Sequence, residues 1–257
     1  MNYFYFDESI HERGGFIVGA YIYGHDADPG VARALRACGL QPGVDEFKSS
    51  ALMAQHPEQL ALRDHLFDLL RQYRLGVLVM ASEARGSLGG EALRALDQIA
   101  RSNSLTKVGL TASFDEGIFS SINQALELSA ALKIDGYCEV RPEQDSRIVM
   151  GIQLADLAAH TCATMLLESL GLVRKHVKAG PNSGYDPYLN LELGFELWAR
   201  LRYRFFFAGP VDGRDEMYQG ALVNVGTNGL YIAETCSEHL RAVADERFGR
   251  LYLGCIH

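Results

Sequence analysis

Residues 3–9 read Tyr3-Phe4-Tyr5-Phe6-Asp7-Glu8-Ser9, and residues 14–23 read Gly14-Gly15-Phe16-Ile17-Val18-Gly19-Ala20-Tyr21-Ile22-Tyr23. Two runs rich in aromatic and β-branched residues flank a glycine turn, which predicts an antiparallel hairpin. Further on, apolar runs of strand length alternate with helical spacing. Helices are expected from Asp28-Pro29 to Cys38-Gly39, Pro57 to Tyr73, Gly90 to Arg101, Ile118 to Lys133 and Met150 to Leu170. Strands are expected at Leu75–Ala81, Val108–Phe114 and Tyr137–Val140. A hairpin followed by βα units predicts an α/β fold, a mixed sheet with helices on its faces. The core is expected over residues 1–171. Residues 172–257 read as an α+β extension of the same domain, with helices at Asn190–Tyr203 and Ala233–Arg247, an extended Phe205–Phe207 and a loop at Pro181–Gly184.

The chain has 257 residues, 48% of them apolar and 22% charged, a composition that folds rather than one that stays disordered. With 24 Lys and Arg against 32 Asp and Glu, the net charge is −8, which argues against coating nucleic acid by bulk charge. The surplus carboxylates suit a hard-metal site. No apolar run approaches the ~18 residues of a membrane helix. Met1 to Phe6 lacks the basic start of a signal peptide. Five scattered cysteines without a CxxC pair suggest a reduced, cytoplasmic protein. The histidines show no HExxH spacing, and no GxGxxG, P-loop or GxSxG pattern is present.

Acids stand where acids are awkward. Asp7-Glu8 follows an aromatic strand, and strand alternation turns Asp7 and Glu8 to opposite faces. Asp115-Glu116 ends an apolar strand, either as a ligand at a carboxyl end or as a helix N-cap. Asp156 lies in Gly151-Ile152-Gln153-Leu154-Ala155-Asp156-Leu157-Ala158-Ala159-His160, which is apolar on nearly all sides. Such a helix is buried, so its carboxylate requires a metal, a cation or hydrogen-bond donors. Gln153 and His160 share its face at spacings of three and four. Asp145 and Ser146, in the preceding loop, are auxiliary candidates. Carboxylates on two strand ends and a helix suit Mg²⁺ or Mn²⁺, whose pairs activate water and stabilise a leaving oxygen in phosphodiester hydrolysis.

These motifs resemble a bacterial family, the domain-of-unknown-function family 3800. Tyr5-Phe6-Asp7-Glu8-Ser9 resembles its opening motif, Gly151 to Leu157 its closing one, Glu46-Phe47-Lys48 an acid-apolar-lysine element and Phe114-Asp115-Glu116 a strand-end acid. The likeness spans roughly residues 2–170; Ile10 departs from the glycine usual after Asp-Glu-Ser. The resemblance implies an RNase H-like fold, with Asp7, Asp115 and Asp156 as catalytic metal ligands. It suggests Glu46 as a fourth ligand and Lys48 as a phosphate contact.

The most basic stretch holds Arg174, Lys175 and Lys178, with Arg202 and Arg204 among aromatics further on. It either tracks a nucleic-acid backbone or is a surface of snorkelling side chains. The leading expectation is a metal-dependent nuclease acting on nucleic acid. The alternatives are a non-catalytic binding or sensor module of a larger assembly, such as one in phage defence, and a nucleotide phosphohydrolase. A protein partner or a second copy of the chain is compatible with each.

Overall fold

A computed structural model describes residues 2–179, 186–210 and 221–254. The loop expected at Pro181–Gly184 lies outside them. The core elements are β1 (Asn2–His11), β2 (Phe16–Gly24), α1 (Asp28–Ala37), α2 (Pro57–Leu70), β3 (Arg74–Ala81), α3 (Leu88–Ser102), β4 (Leu110–Asp115), α4 (Ile122–Ala131), β5 (Cys138–Gln144) and α5 (Ile152–Ser169). The extension adds β6 (His176–Lys178), β7 (Asn190–Glu192), α6 (Leu193–Leu201), β8 (Gly209–Pro210), β9 (Leu222–Asn224), α7 (Gly226–Gly229), β10 (Leu230–Ile232), α8 (Glu238–Phe248) and β11 (Arg250–Tyr252).

The main sheet runs β10-β3-β2-β1-β4-β5. β1 and β2 form the expected hairpin, in register from Tyr3 opposite Gly24 to His11 opposite Phe16. Gly15 closes the turn at φ +70°, in the left-handed region that favours glycine. β3 joins antiparallel to β2, and β4 and β5 join parallel beyond β1. The fold is therefore the expected mixed α/β sheet, opening with an antiparallel hairpin and flanked by helices.

Strand alternation sorts the core into two layers. Phe4 and Phe6 point to the side of α3, with Phe114 and Phe206. Tyr5 points to the side of α1, α2 and α5. Asp7, Ser9 and His11 continue the Tyr5 row. α5 lies so close to β1 that a Cβ at Gly151 would stand 2.4 Å from the Tyr5 ring. Asp28 fixes the same junction by accepting the Gly151 N–H at 2.8 Å, and the Tyr5 hydroxyl accepts the Ala27 N–H at 3.1 Å.

Three local expectations are corrected. The helix expected from Ile118 starts at Ile122, because the Ser121 side chain accepts the Gln124 N–H and sets the start. Ile118 and Phe119 instead bury themselves in the core, with Phe119 edge-on to Phe114. The helix expected from Asn190 starts at Leu193, because residues 190–192 pair with β6. The helix expected from Ala233 starts at Glu238, with Ser237 as its cap. The extension also supplies β10, an unforeseen sixth strand that runs parallel to β3 at the sheet edge.

Candidate functional site

β1 and β4 run parallel with Phe6 beside Phe114, so the next residue on each strand is an aspartate. β4 ends at Asp115, while β1 continues to His11 with only β2 as its partner. The β4–β5 pairing slips at this level: Ser113 faces Arg141, but Asp115 faces Gln144. The extra residue makes a bulge in β5, with Glu143 at φ +54°. The Glu143 carboxylate accepts the Gly117 N–H at 3.1 Å and so fastens the turn after Asp115.

The early turns of α5 bring Asp156 to the same place. Burial pushes the Asp7 carboxyl well above the usual carboxylate range, and Asp156, Asp115 and Glu8 push it further; the Glu8 N–H, 2.7 Å from Asp7 Oδ1, works the other way. Asp115 is pushed up to about 6, chiefly by burial, with Glu8 and Asp156 adding repulsion against the Glu116 N–H and Lys48. Burial also raises Glu8 and Asp156. For Asp156 the opposing donors are the Ser49 hydroxyl and the Ser49 N–H, the latter at 3.0 Å. The donor reading of the buried aspartate is thus realised, by a residue the sequence did not single out.

The segment 46–49 is held in place by side-chain amides. Gln153, 1% exposed, accepts the Phe47 N–H and donates to the Ser146 carbonyl, both at 2.8 Å. Gln59 donates to the Glu46 carbonyl and accepts the Lys48 N–H. The Glu46 carboxylate accepts from the Ser146 hydroxyl at 2.5 Å and lies 3.2 Å from the Lys48 ammonium. The Lys48 ammonium acts on the cluster, lowering both Asp115 and Asp156. Gln153 and Ser146 therefore act as supports beside the acids.

Most other sequence candidates sit apart from the three aspartates; His160 flanks Asp156. Asp145 binds Arg147 through both carboxylate oxygens, and Glu116 is exposed. His160 lies one turn beyond Asp156. Burial lowers its basicity while Asp156 raises it. Arg174, Lys175 and Lys178 are exposed beyond the far end of α5, about 20 Å along the helix from Asp156 at 1.5 Å per residue. The Lys178 ammonium donates to the Tyr188 carbonyl. Arg202 stacks over Trp198 and donates to the carbonyls of Tyr252 and Gly254. Arg204 donates to the Arg71 carbonyl. These two arginines fasten chain segments, a use that leaves fewer donors for a ligand.

Among the described residues, no three Asp, Glu, His or Cys side chains are already gathered at metal-ligand spacing. The donor chemistry nevertheless fits a hard cation. An ionised carboxylate offers about four acceptor positions, and Ser49 uses two at Asp156. Asp7, Asp115 and Asp156 repel one another in a partly desolvated site, a repulsion that a divalent ion relieves. Glu46 is already engaged by Ser146 and Lys48.

No protein-family model matches the chain, and no curated protein matches it. Among solved structures it is similar to a chain of the complex of PCNA and RNase HII from Archaeoglobus fulgidus. The identity is 14%, with 78% of this chain and 88% of that one covered, at a TM-score of 0.36. A likeness that remote carries no functional weight beside the residues themselves. Among the described residues no helix is long and apolar enough to cross a membrane.

Proposed function

We propose that this chain is a divalent-metal-dependent phosphodiesterase acting on nucleic acid, a nuclease of the RNase H-like kind implied by its resemblance to family 3800. The observation that carries the reading is the convergence of Asp7, Asp115 and Asp156, each raised above its ordinary range chiefly by burial, with repulsion from neighbouring carboxylates adding at Asp7 and Asp115. Carboxyl groups shifted together by burial and by neighbouring charge mark a candidate functional site. Asp7, Asp115 and Asp156 hold Mg²⁺ or Mn²⁺ in this proposal. The ion supplies Lewis-acid activation of water and of the scissile phosphate. Lys48 offsets the charge of a phosphate that approaches the acids. Ser49 orients the Asp156 carboxylate, and Gln153 keeps the 46–49 segment fixed to α5.

One observation favours a second reading. Both Asp156 oxygens already accept from Ser49, as they would in a non-catalytic binding module that kept the fold.

The deciding experiment is Mn²⁺ calorimetry and cleavage of single- and double-stranded substrates by wild type and Asp156→Asn. The nuclease reading expects saturable Mn²⁺ binding and metal-dependent cleavage, both lost in a folded Asp156→Asn. A folded wild type that neither binds the ion at millimolar concentration nor cleaves refutes it.

A further inference from the structure

The β1 row that carries Asp7 continues into Ser9 and His11, and the α5 face that carries Asp156 continues into His160. Their imidazoles meet, with ring centroids 6.4 Å apart and 39° between the planes. The Ser9 hydroxyl lies 3.0 Å from His11 Nε2. α2 packs against α5 and brings Arg63 close enough for its charge to act on His160.

The Arg63 Nε is buried and has no hydrogen-bond partner, and among the described residues no carboxylate pairs with its guanidinium. A buried N–H without an acceptor is costly, so the geometry calls for one. A neutral imidazole carries one N–H, so each histidine can donate without gaining a proton. A guanidinium and two imidazoles, one of them held by the Ser9 hydroxyl, together present donors suited to a tetrahedral oxyanion.

We infer that Arg63, His11 and His160, with Ser9 orienting the His11 ring, form an anion subsite beside the carboxylates that takes a phosphate group. Resting on the nuclease reading, that phosphate belongs to the nucleotide next to the scissile one. The subsite also explains how a chain of net charge −8 retains a polyanion: the attraction is local.

The test is titration of inorganic phosphate into metal-free protein in chelator, followed by calorimetry. Wild type should bind saturably. Arg63→Gln and His11→Asn should each weaken binding by about 10-fold, the loss of one charge-assisted contact. Asp7→Asn should bind at least as well as wild type, because it removes a neighbouring negative charge. Circular dichroism melts identify variants that fail to fold; if one does, the other reads the site. Absence of saturable binding by wild type, equal binding by the folded variants, or loss of binding in Asp7→Asn overturns the subsite. The chelator separates the two claims. Phosphate binding without nucleic-acid cleavage under Mn²⁺ leaves the subsite standing and removes the nuclease.

Discussion

Replacing Asp115 by Asn should stabilise the metal-free protein at neutral pH while destroying its response to metal. In the folded state this carboxyl is pushed from its ordinary 3.8 up to about 6, by burial first and by Glu8 and Asp156 in addition. A raised acid holds its proton in the native state over a range where the unfolded chain has already lost it. Native stability therefore falls as pH climbs from about 4 to about 6, and stays lower above that. The full difference is worth about 3 kcal/mol at about 1.4 kcal/mol per tenfold. The carboxyl is only partly buried and solvent screens part of this, so a gain of about 1 to 2 kcal/mol is expected for Asp115→Asn at pH 8. The assay is urea denaturation in chelator at pH 5 and pH 8. Wild type should be the less stable of the two proteins at pH 8, and the difference should shrink at pH 5. Added Mn²⁺ should then raise the midpoint of wild type far more than that of the variant. An Asp115→Asn protein less stable than wild type at pH 8, with an unchanged pH slope, would refute the repulsion argument.

Gly151→Ala should lower stability by about 2 kcal/mol in thermal melts, because the new Cβ meets the fully buried Tyr5 ring at 2.4 Å. Gln153→Leu preserves volume but strands the Phe47 N–H and the Ser146 carbonyl. It should cost about 2 to 4 kcal/mol by urea denaturation and speed hydrogen exchange at Phe47.

The three aspartates were legible because each breaks an apolar pattern: two follow aromatic or apolar runs, and one interrupts a buried helix. Such a break carries a free-energy penalty and so stands out in a linear sequence. Ser49, Gln59, Glu143 and Arg63 do not. Ser49 and Gln59 each act through a pair of hydrogen bonds to atoms distant in sequence or across a loop, which leave no periodic trace. Glu143 matters because of a register slip that depends on how two strands meet. The helix boundary at Ile118 was misread for a related reason. Ile118 and Phe119 have the composition of a helix face, but Phe119 packs as an irregular plug against Phe114 and Gly89. Three-residue β10 offers too short a run for alternation to register.

That short strand bears on the order in which the molecule is made. β3 emerges from the ribosome long before its edge partner β10, about 150 residues later in the chain. The hairpin, the βα units and α5 are all complete in the chain before the extension is synthesised. During that interval the apolar Val77, Leu78 and Val79 present an open strand edge, the kind of surface that recruits another chain. Nascent chains are therefore most vulnerable to pairing with one another between completion of α5 and arrival of β10.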